Sequence, residues 1–318
     1  MILVDRVEQP QSNPDIGRSS SVNGTRDIVC RTSIGNRCRA GPGAILRGIG
    51  KAGRASARLA RKDGGAIELV MCTLVILRRP GHDWPLLLAA NRDEMGTRPW
   101  KAPARHWDDR PEVVAGLDET AGGSWLGLND HGLVAGILNR PGSLGPAAGK
   151  RSRGELVLDA LDHADADMAA ASLVQLDPAA YRPFNLVIAD DRDAFWLRSD
   201  GSTIRGHKIA EGLSMITAND LNDMTSPRIR DYLPRFQAAR PPDPATGEWG
   251  DWPVLMGQRG HAPDAGPRGA LNIVTDTAYG TVSSSLIALP KLQNPPKAPI
   301  WLFAGGRPDE AAYERVKL

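Results

Sequence analysis

The sequence predicts a layered α+β domain behind a long N-terminal segment that has no core of its own. Three observations point there. Apolar runs of strand length cluster towards both ends of residues 71–318, and helical periodicity falls between them. Residues 1–70 contain no Phe, Trp or Tyr, so all sixteen aromatics lie beyond Met71. That first segment also carries twelve Lys and Arg against six Asp and Glu, a net of +6, which leaves −4 on residues 71–318 of a chain at +2. A stretch rich in Gly, Ser and Arg with no sustained apolar period buries too little surface to offset its ordering entropy. Residues 1–70 are therefore expected to be a disordered basic tail, and residues 71–318 one domain with a sizeable core.

Within that domain the elements follow in order. Residues 72–78 and 85–90 read as apolar strands around the turn Arg79-Pro-Gly-His-Asp83, because Pro and Gly punctuate two runs of strand length. Residues 122–128 and 132–138 form an expected hairpin turning at Asn129-Asp-His131. Residues 151–164 are the best helix, with Leu156, Val157, Ala160 and Leu161 at helical spacing, and 167–176 continues as a second. Strands are expected at 184–189, 194–198 and 213–217. Ser226 and Pro227 mark the N-cap and first position of a helix over 227–239. A linker rich in Pro, Gly and Asp occupies 240–251, and late strands are expected at 271–274, 281–289 and 300–304.

Composition excludes several function classes. The mild negative charge of residues 71–318 gives no nucleic-acid footprint, since the whole-chain pI of about 8.5 comes from the tail. The apolar run at 69–77 is far too short to span a bilayer, and no apolar signal-peptide core follows Met1. Cys30 and Cys38 lie in the tail and leave Cys72 as the single cysteine beyond it, which argues against an intrachain disulfide or a thiolate zinc cluster there. The six histidines are scattered, with no pair at metal-ligand spacing. A cytoplasmic protein without a cofactor, acting on a small molecule, is the expectation; nothing in the sequence fixes the oligomeric state.

The most informative residues are Met71 and Cys72. As an internal residue, Cys72 is an ordinary thiol. As the first residue of a mature chain it carries a thiol and a free α-amine, a nucleophile and a base on one residue. An α-amine with a pKa of about 7.7–8.0 can take the proton of a thiol with a pKa near ~8.5 at little cost. Three origins then compete for residues 1–70: sequence upstream of the true start at Met71, a pro-segment removed to expose Cys72, or a basic arm. The first is the reading taken.

Seven motifs in order carry a family resemblance. They are Met71-Cys-Thr-Leu74, Asn91-Arg-Asp-Glu94 with Arg98-Pro99, Gly122-Gly-Ser-Trp-Leu-Gly-Leu128, Gly136-Ile-Leu-Asn139, Arg151-Ser-Arg-Gly-Glu-Leu-Val157, Phe184-Asn-Leu186, and Tyr279-Gly-Thr281 with Ser283-Ser284. Together they resemble the NRDE family, the group of transport and Golgi organisation protein 2 homologues. The Met-Cys-Thr opening, Gly136-Ile-Leu-Asn-Arg-Pro-Gly142 and Thr217-Ala-Asn219-Asp220 are similar, more distantly, to the cysteine N-terminal-nucleophile hydrolases such as bile-salt and penicillin V acylases.

That second resemblance implies a four-layer αββα sandwich and a mechanism. Cys72 would attack an amide or related acyl carbonyl, with its own amine shuttling the proton. Asn139 and Asn219 would stabilise the oxyanion, Asp93 would hold the ammonium, and Arg92 or Arg228 would favour the thiolate. The hydrolases carry their arginine three positions before the aspartate, where this chain has Ala90. The family's expected Trp-Pro-Lys after the second Asn is here Ser226-Pro-Arg228. The family resemblance also implies an alternative, a non-enzymatic handler of a small ligand such as haem or an acyl lipid.

Each motif also has a plainer reading. A lone cysteine on an apolar strand is commonly a small buried hydrophobe. Residues 91–94 would serve as a salt-bridged strand end, Asn139 and Asn219 as turn residues, and Trp125 as core.

Overall fold

A computed structural model of the chain describes residues 72–293 and 295–318. The disordered tail expected over residues 1–70, and Met71 itself, lie outside the described residues. The first strands are β1 (Thr73–Arg78), β2 (Leu86–Met95), β3 (Trp100–Ala104), β4 (Val113–Asp118), β5 (Leu126–Asn129) and β6 (Val134–Asn139). Helices α1 (Glu155–Leu161) and α2 (Ala166–Leu173) follow, then β7 (Phe184–Ala189), β8 (Ala194–Ser199), β9 (Ile204–Lys208) and β10 (Gly212–Ile216). Helices α3 (Pro227–Ala238) and α4 (Trp252–Met256) precede β11 (Tyr279–Leu289), β12 (Ile300–Ala304) and the short β13 (Glu314–Arg315).

These strands make two antiparallel sheets. One has the order β10-β1-β2-β11-β12-β13, the other β3-β4-β5-β6-β7-β8-β9. Leu74, Ile76 and Leu88 of the first sheet meet Leu126, Val134 and Val187 of the second in a buried inter-sheet core. The opposite face of the first sheet, through Val75, Leu87 and Ala89, packs on α3 and α4. The outer face of the second, through Ala135, Leu186 and Ile188, packs on α1 and α2. The layers are therefore αββα, as the resemblance implied. A sheet covered on both faces needs apolar residues at every position of its central strands, which is why 73–77 and 86–90 read as unbroken apolar runs.

The differences from expectation have physical causes. Strand β2 does not stop before residue 91 but runs on to Met95, because Asn91, Arg92 and Asp93 are buried and hold partners on neighbouring elements. Strands β3, β4, β9 and β13 have no counterpart among the expected strands: β3, β9 and β13 are short edge strands, β9 and β13 largely exposed and β3 carrying Pro103 where its register slips, whereas β4 is a short, mostly buried strand inside the second sheet. Helix α1 starts later than 151 because Gly154 passes directly against Gly123; a Cβ on Gly123 would lie 2.5 Å from the Gly154 carbonyl carbon. Residues 271–274 are not a strand, and Val274 makes only an isolated bridge to Gly280. Just beyond the expected linker, Trp252 opens α4, a short helix that closes over the first sheet. In α3, Ile229, Tyr232, Leu233 and Phe236 form the buried stripe expected of helical spacing. Among the described residues no helix is long and apolar enough to cross a membrane.

Candidate active site

Cys72 precedes β1 on the inter-sheet face, packed against the central core. The register Thr73↔Asn91 between β1 and β2, extended by one residue, sets Cys72 opposite Arg92. Directly opposed residues of an antiparallel pair share a face, so the thiol and the guanidinium both look between the sheets. Asn91 and Asp93 take the other face, towards α3 and α4. There, Asn91 Nδ2 donates to the carbonyls of Met256 and Leu271, both at 3.0 Å.

Cys72 and Arg92 line a small cavity that is open to solvent. Its apolar wall comes from Leu74, Ala90, Leu126, Ile137 and Leu138, with Trp125 at one side. Ser283 and Ser285 of β11 add two hydroxyls. Trp125 is both wall and platform, because the Arg92 guanidinium lies 4.1 Å from its ring centroid. Gly116 makes room for that ring, since a Cβ there would fall 2.3 Å from it.

Behind the thiol lies a buried polar group. The Asp93 N–H faces Cys72 Sγ at 3.4 Å. The Asp93 carboxylate, turned away, accepts from Thr281 Oγ1 at 2.6 Å and from Arg228 Nη1 at 3.2 Å. Arg228 is fully enclosed and also donates to Thr73 Oγ1 at 2.7 Å and to the Arg268 carbonyl at 2.6 Å. A β-bulge between Thr281 and Ser283 makes this division of labour. Thr281 pairs with Asp93 and Ser283 with Arg92, so two residues that strict alternation would put on one face serve opposite faces.

Burial dominates the electrostatics. It pushes the Asp93 carboxyl up to about 6, against the opposing pull of Arg228 and Thr281. Burial, followed by the nearby Asp93 charge, pushes the Cys72 thiol up to about 12, although the Asp93 N–H and Arg92 favour the thiolate. Arg153 also feels the Cys72 charge, and burial together with Arg182 lowers its guanidinium to about 10. As a peptide-linked residue, Cys72 would be thiolate in on the order of one molecule in 10⁵ at pH 7. It is a poor nucleophile until a base reaches it.

The structure thus brings Cys72, Arg92, Asp93 and Arg228 together. Asn139 and Asn219 are not among the residues that line the cavity. Asn139 ends β6 opposite Phe184, one residue past the lining stretch. Asn219 follows β10, its side chain donating to Asp223 at 3.1 Å and its carbonyl accepting from Asn185 Nδ2 at 2.8 Å. Residues to which sequence reasoning gave no role also matter. Thr281 and Ser283 stood in a motif whose bulge no spacing reveals. Asp118, which accepts from Arg98 Nε at 2.7 Å and faces Arg92 Nη2 at 3.4 Å, carried no signal at all.

The Transport and Golgi organization protein 2 homolog of Bos taurus is 38% identical over 110 residues, 33% of this chain and 38% of that protein. The homolog of Homo sapiens is 37% identical over 110 residues, with the same shares. The match thus spans well under half of those relatives' own length. Among solved structures, the Caenorhabditis elegans N-acylethanolamine-hydrolyzing acid amidase ortholog has a TM-score of 0.44 at 12% identity, over 68% of this chain and 92% of that one. A mutant conjugated bile acid hydrolase from Clostridium perfringens has a TM-score of 0.42 at 12% identity, over 78% and 97%. The profile described as Transport and Golgi organisation 2 matches residues 71–240. That stretch is more than half of the chain and contains Cys72, Arg92, Asp93 and Arg228, so the chain belongs to the Transport and Golgi organisation 2 family.

Proposed function

We propose that this protein, in a mature form beginning at Cys72, is an N-terminal-nucleophile hydrolase of a C–N amide or related acyl bond. The observation that carries the reading is the Cys72 thiol opening on a cavity opposite Arg92, with Asp93 and Arg228 buried behind it. The α-amine of Cys72 takes the Sγ proton, and the thiolate adds to the substrate carbonyl carbon, forming the C–S bond. The ammonium returns the proton to the leaving amine as the C–N bond breaks, leaving a thioester. Water, deprotonated by the same amine, then cleaves the C–S bond and releases a carboxylic acid and the free thiol.

Asp93 holds the ammonium in this scheme. Its carboxylate accepts from Thr281 and Arg228 yet has about four lone-pair sites. Arg92 supplies positive potential on the cavity side and Arg228 from behind. Asn139 and Asn219 remain the side chains proposed for the oxyanion; one such donor is typically worth about 2.7–4 kcal/mol of barrier. We place the protein in the cytoplasm, where a reducing compartment keeps Cys72 free.

The test is turnover of a panel of acyl 4-nitroanilides and thioesters by protein beginning at Cys72, by Cys72→Ala and Cys72→Ser, and by a form with two residues added before Cys72. Hydrolysis that is lost in all three altered forms supports the reading. Hydrolysis that survives the added residues removes the amine from the mechanism. The mostly apolar wall favours a second reading, a carrier of haem or an acyl lipid. Tight haem binding with a shifted absorbance band that vanishes in Cys72→Ala, with no turnover anywhere in the panel, is its signature.

A further inference from the structure

Arg92 presents a feature that the hydrolytic scheme leaves unused. The residue is 5% exposed, and its Nη1 is buried with no hydrogen-bond partner among the described residues. Nη2 reaches Asp118 only at 3.4 Å, because that carboxylate is already engaged by Arg98 at 2.7 Å. A buried cationic N–H left without an acceptor is costly, and the Arg92 side chain borders the cavity that Cys72 lines. Stacking on Trp125 fixes the guanidinium plane beside that cavity.

We propose that the cavity binds acyl substrates whose far end carries a carboxylate, with Nη1 of Arg92 as its donor. The inference deepens the hydrolase reading and rests on it for the word substrate. A monoanion suits the site better than a phosphate dianion. Asp118 already offsets part of the Arg92 charge, and one N–H remains to be filled. The rest of the wall is apolar, matching a short methylene chain, and Ser283 and Ser285 are the neutral polar groups beside it. Arg153, close enough to feel the Cys72 charge, adds positive potential near the same cavity.

The experiment is calorimetric binding to the full 318-residue chain carrying Cys72→Ala, which needs neither processing nor turnover. The probes are matched anilides: succinanilic acid against butyranilide, glutaranilic acid against pentananilide, and adipanilic acid against hexananilide. At one length the acid is expected to bind at least about tenfold more tightly than its neutral partner. Adding Arg92→Gln should bring that ratio to near one. Asp118→Asn, which frees Arg92 of its partner, should raise the ratio by about threefold or more, and it decides the matter if Arg92→Gln does not fold. Equal binding at all lengths overturns the proposal, as does a ratio that survives Arg92→Gln or fails to rise in Asp118→Asn. The turnover panel reads the hydrolase separately: an anion preference without turnover retains the carboxylate site and removes the hydrolase.

Discussion

The backbone N–H of Asp93 approaches Cys72 Sγ at 3.4 Å, while the carboxylate of the same residue faces the other way, onto Arg228. The backbone of one residue thus touches the nucleophile, and its side chain anchors the polar group behind it. Among the described residues the thiol has no side-chain base within hydrogen-bond reach: its two contacts are the N–H and the carbonyl of Asp93.

Alkylation of Cys72 should therefore depend steeply on pH while residue 72 is peptide-linked. Its thiol is raised to about 12, so the thiolate fraction grows about tenfold per pH unit from 7 to 10. Iodoacetamide labelling, read at the Cys72 peptide by mass spectrometry, should follow that slope. Protein beginning at Cys72 should label at least about 100-fold faster at pH 7.5, because its amine lies beside the thiol. Equal rates in the two forms would remove the need for an exposed terminus.

The buried pair Asp93–Arg228 should be costly to halve. Asp93→Asn strands a fully enclosed guanidinium and should lose about 3–5 kcal/mol in urea unfolding at pH 7. Arg228→Met should show the sign of the Asp93 shift. Because the folded carboxyl is held at about 6, above its ordinary 3.8, its favourable contribution is complete below pH 3.8 and is lost as pH rises through 6. Without Arg228 that carboxyl rises further, so the variant should be closest to the parent at pH 5 and fall away by pH 8. The double substitution Asp93→Leu with Arg228→Met should recover most of the stability and none of the activity.

Thr281 is expected to act through Asp93. Its hydroxyl donates to Asp93 Oδ1 at 2.6 Å and accepts the Ile273 N–H at 2.8 Å. Thr281→Val empties both bonds and should cost about 1–3 kcal/mol of stability. It should also lower kcat by about tenfold and move the acid limb of the pH–rate profile upward, since a hydrogen bond that favours the charged carboxylate is gone. Thr281→Ser keeps the hydroxyl and should keep the profile. An unmoved acid limb in Thr281→Val would reduce Thr281 to a structural role.

Much of this fold was legible because its signals are local. Leu156, Val157, Ala160 and Leu161 recur at helical spacing and do form the buried face of α1. The apolar runs of β7 and β8 likewise lie where the pattern put them. The site was legible only in part, because its geometry is set by pairings across long stretches of chain. Thr281 meets Asp93 across 188 positions, through a bulge that no periodicity announces. Arg92 was visible as a charge beside Asp93, but the strand that turns the two to opposite faces runs past the apolar pattern that announced it. Its stacking on Trp125 was not visible, since it depends on the second sheet and on the space left by Gly116.

Asn185 shows how a motif residue can hold the site without entering it. It lies on β7 of the second sheet, and its Nδ2 donates to the carbonyls of Thr217 and Asn219 at 3.0 and 2.8 Å, beyond the end of β10 in the first sheet. Its Oδ1 accepts from Arg140 Nη1 at 2.7 Å and Trp196 Nε1 at 3.1 Å. All four hydrogen-bonding positions of the amide are therefore filled in a residue that is 0% exposed. Asn185→Asp is nearly isosteric but turns the two donors into an oxygen facing two carbonyl oxygens. It should lose about 2–4 kcal/mol, from two unsatisfied acceptors and a buried charge that Arg140 only partly offsets. Asn185→Ala should lose less, because it leaves unpaired groups but adds no repulsion. If Asn219 serves the oxyanion, both variants should lower kcat more than they raise KM, since the Asn219 loop loses its anchor while the cavity wall is untouched. A thermal melt with steady-state kinetics on the same samples checks both parts, and an Asp variant as stable as the parent would refute the amide orientation on which the argument stands.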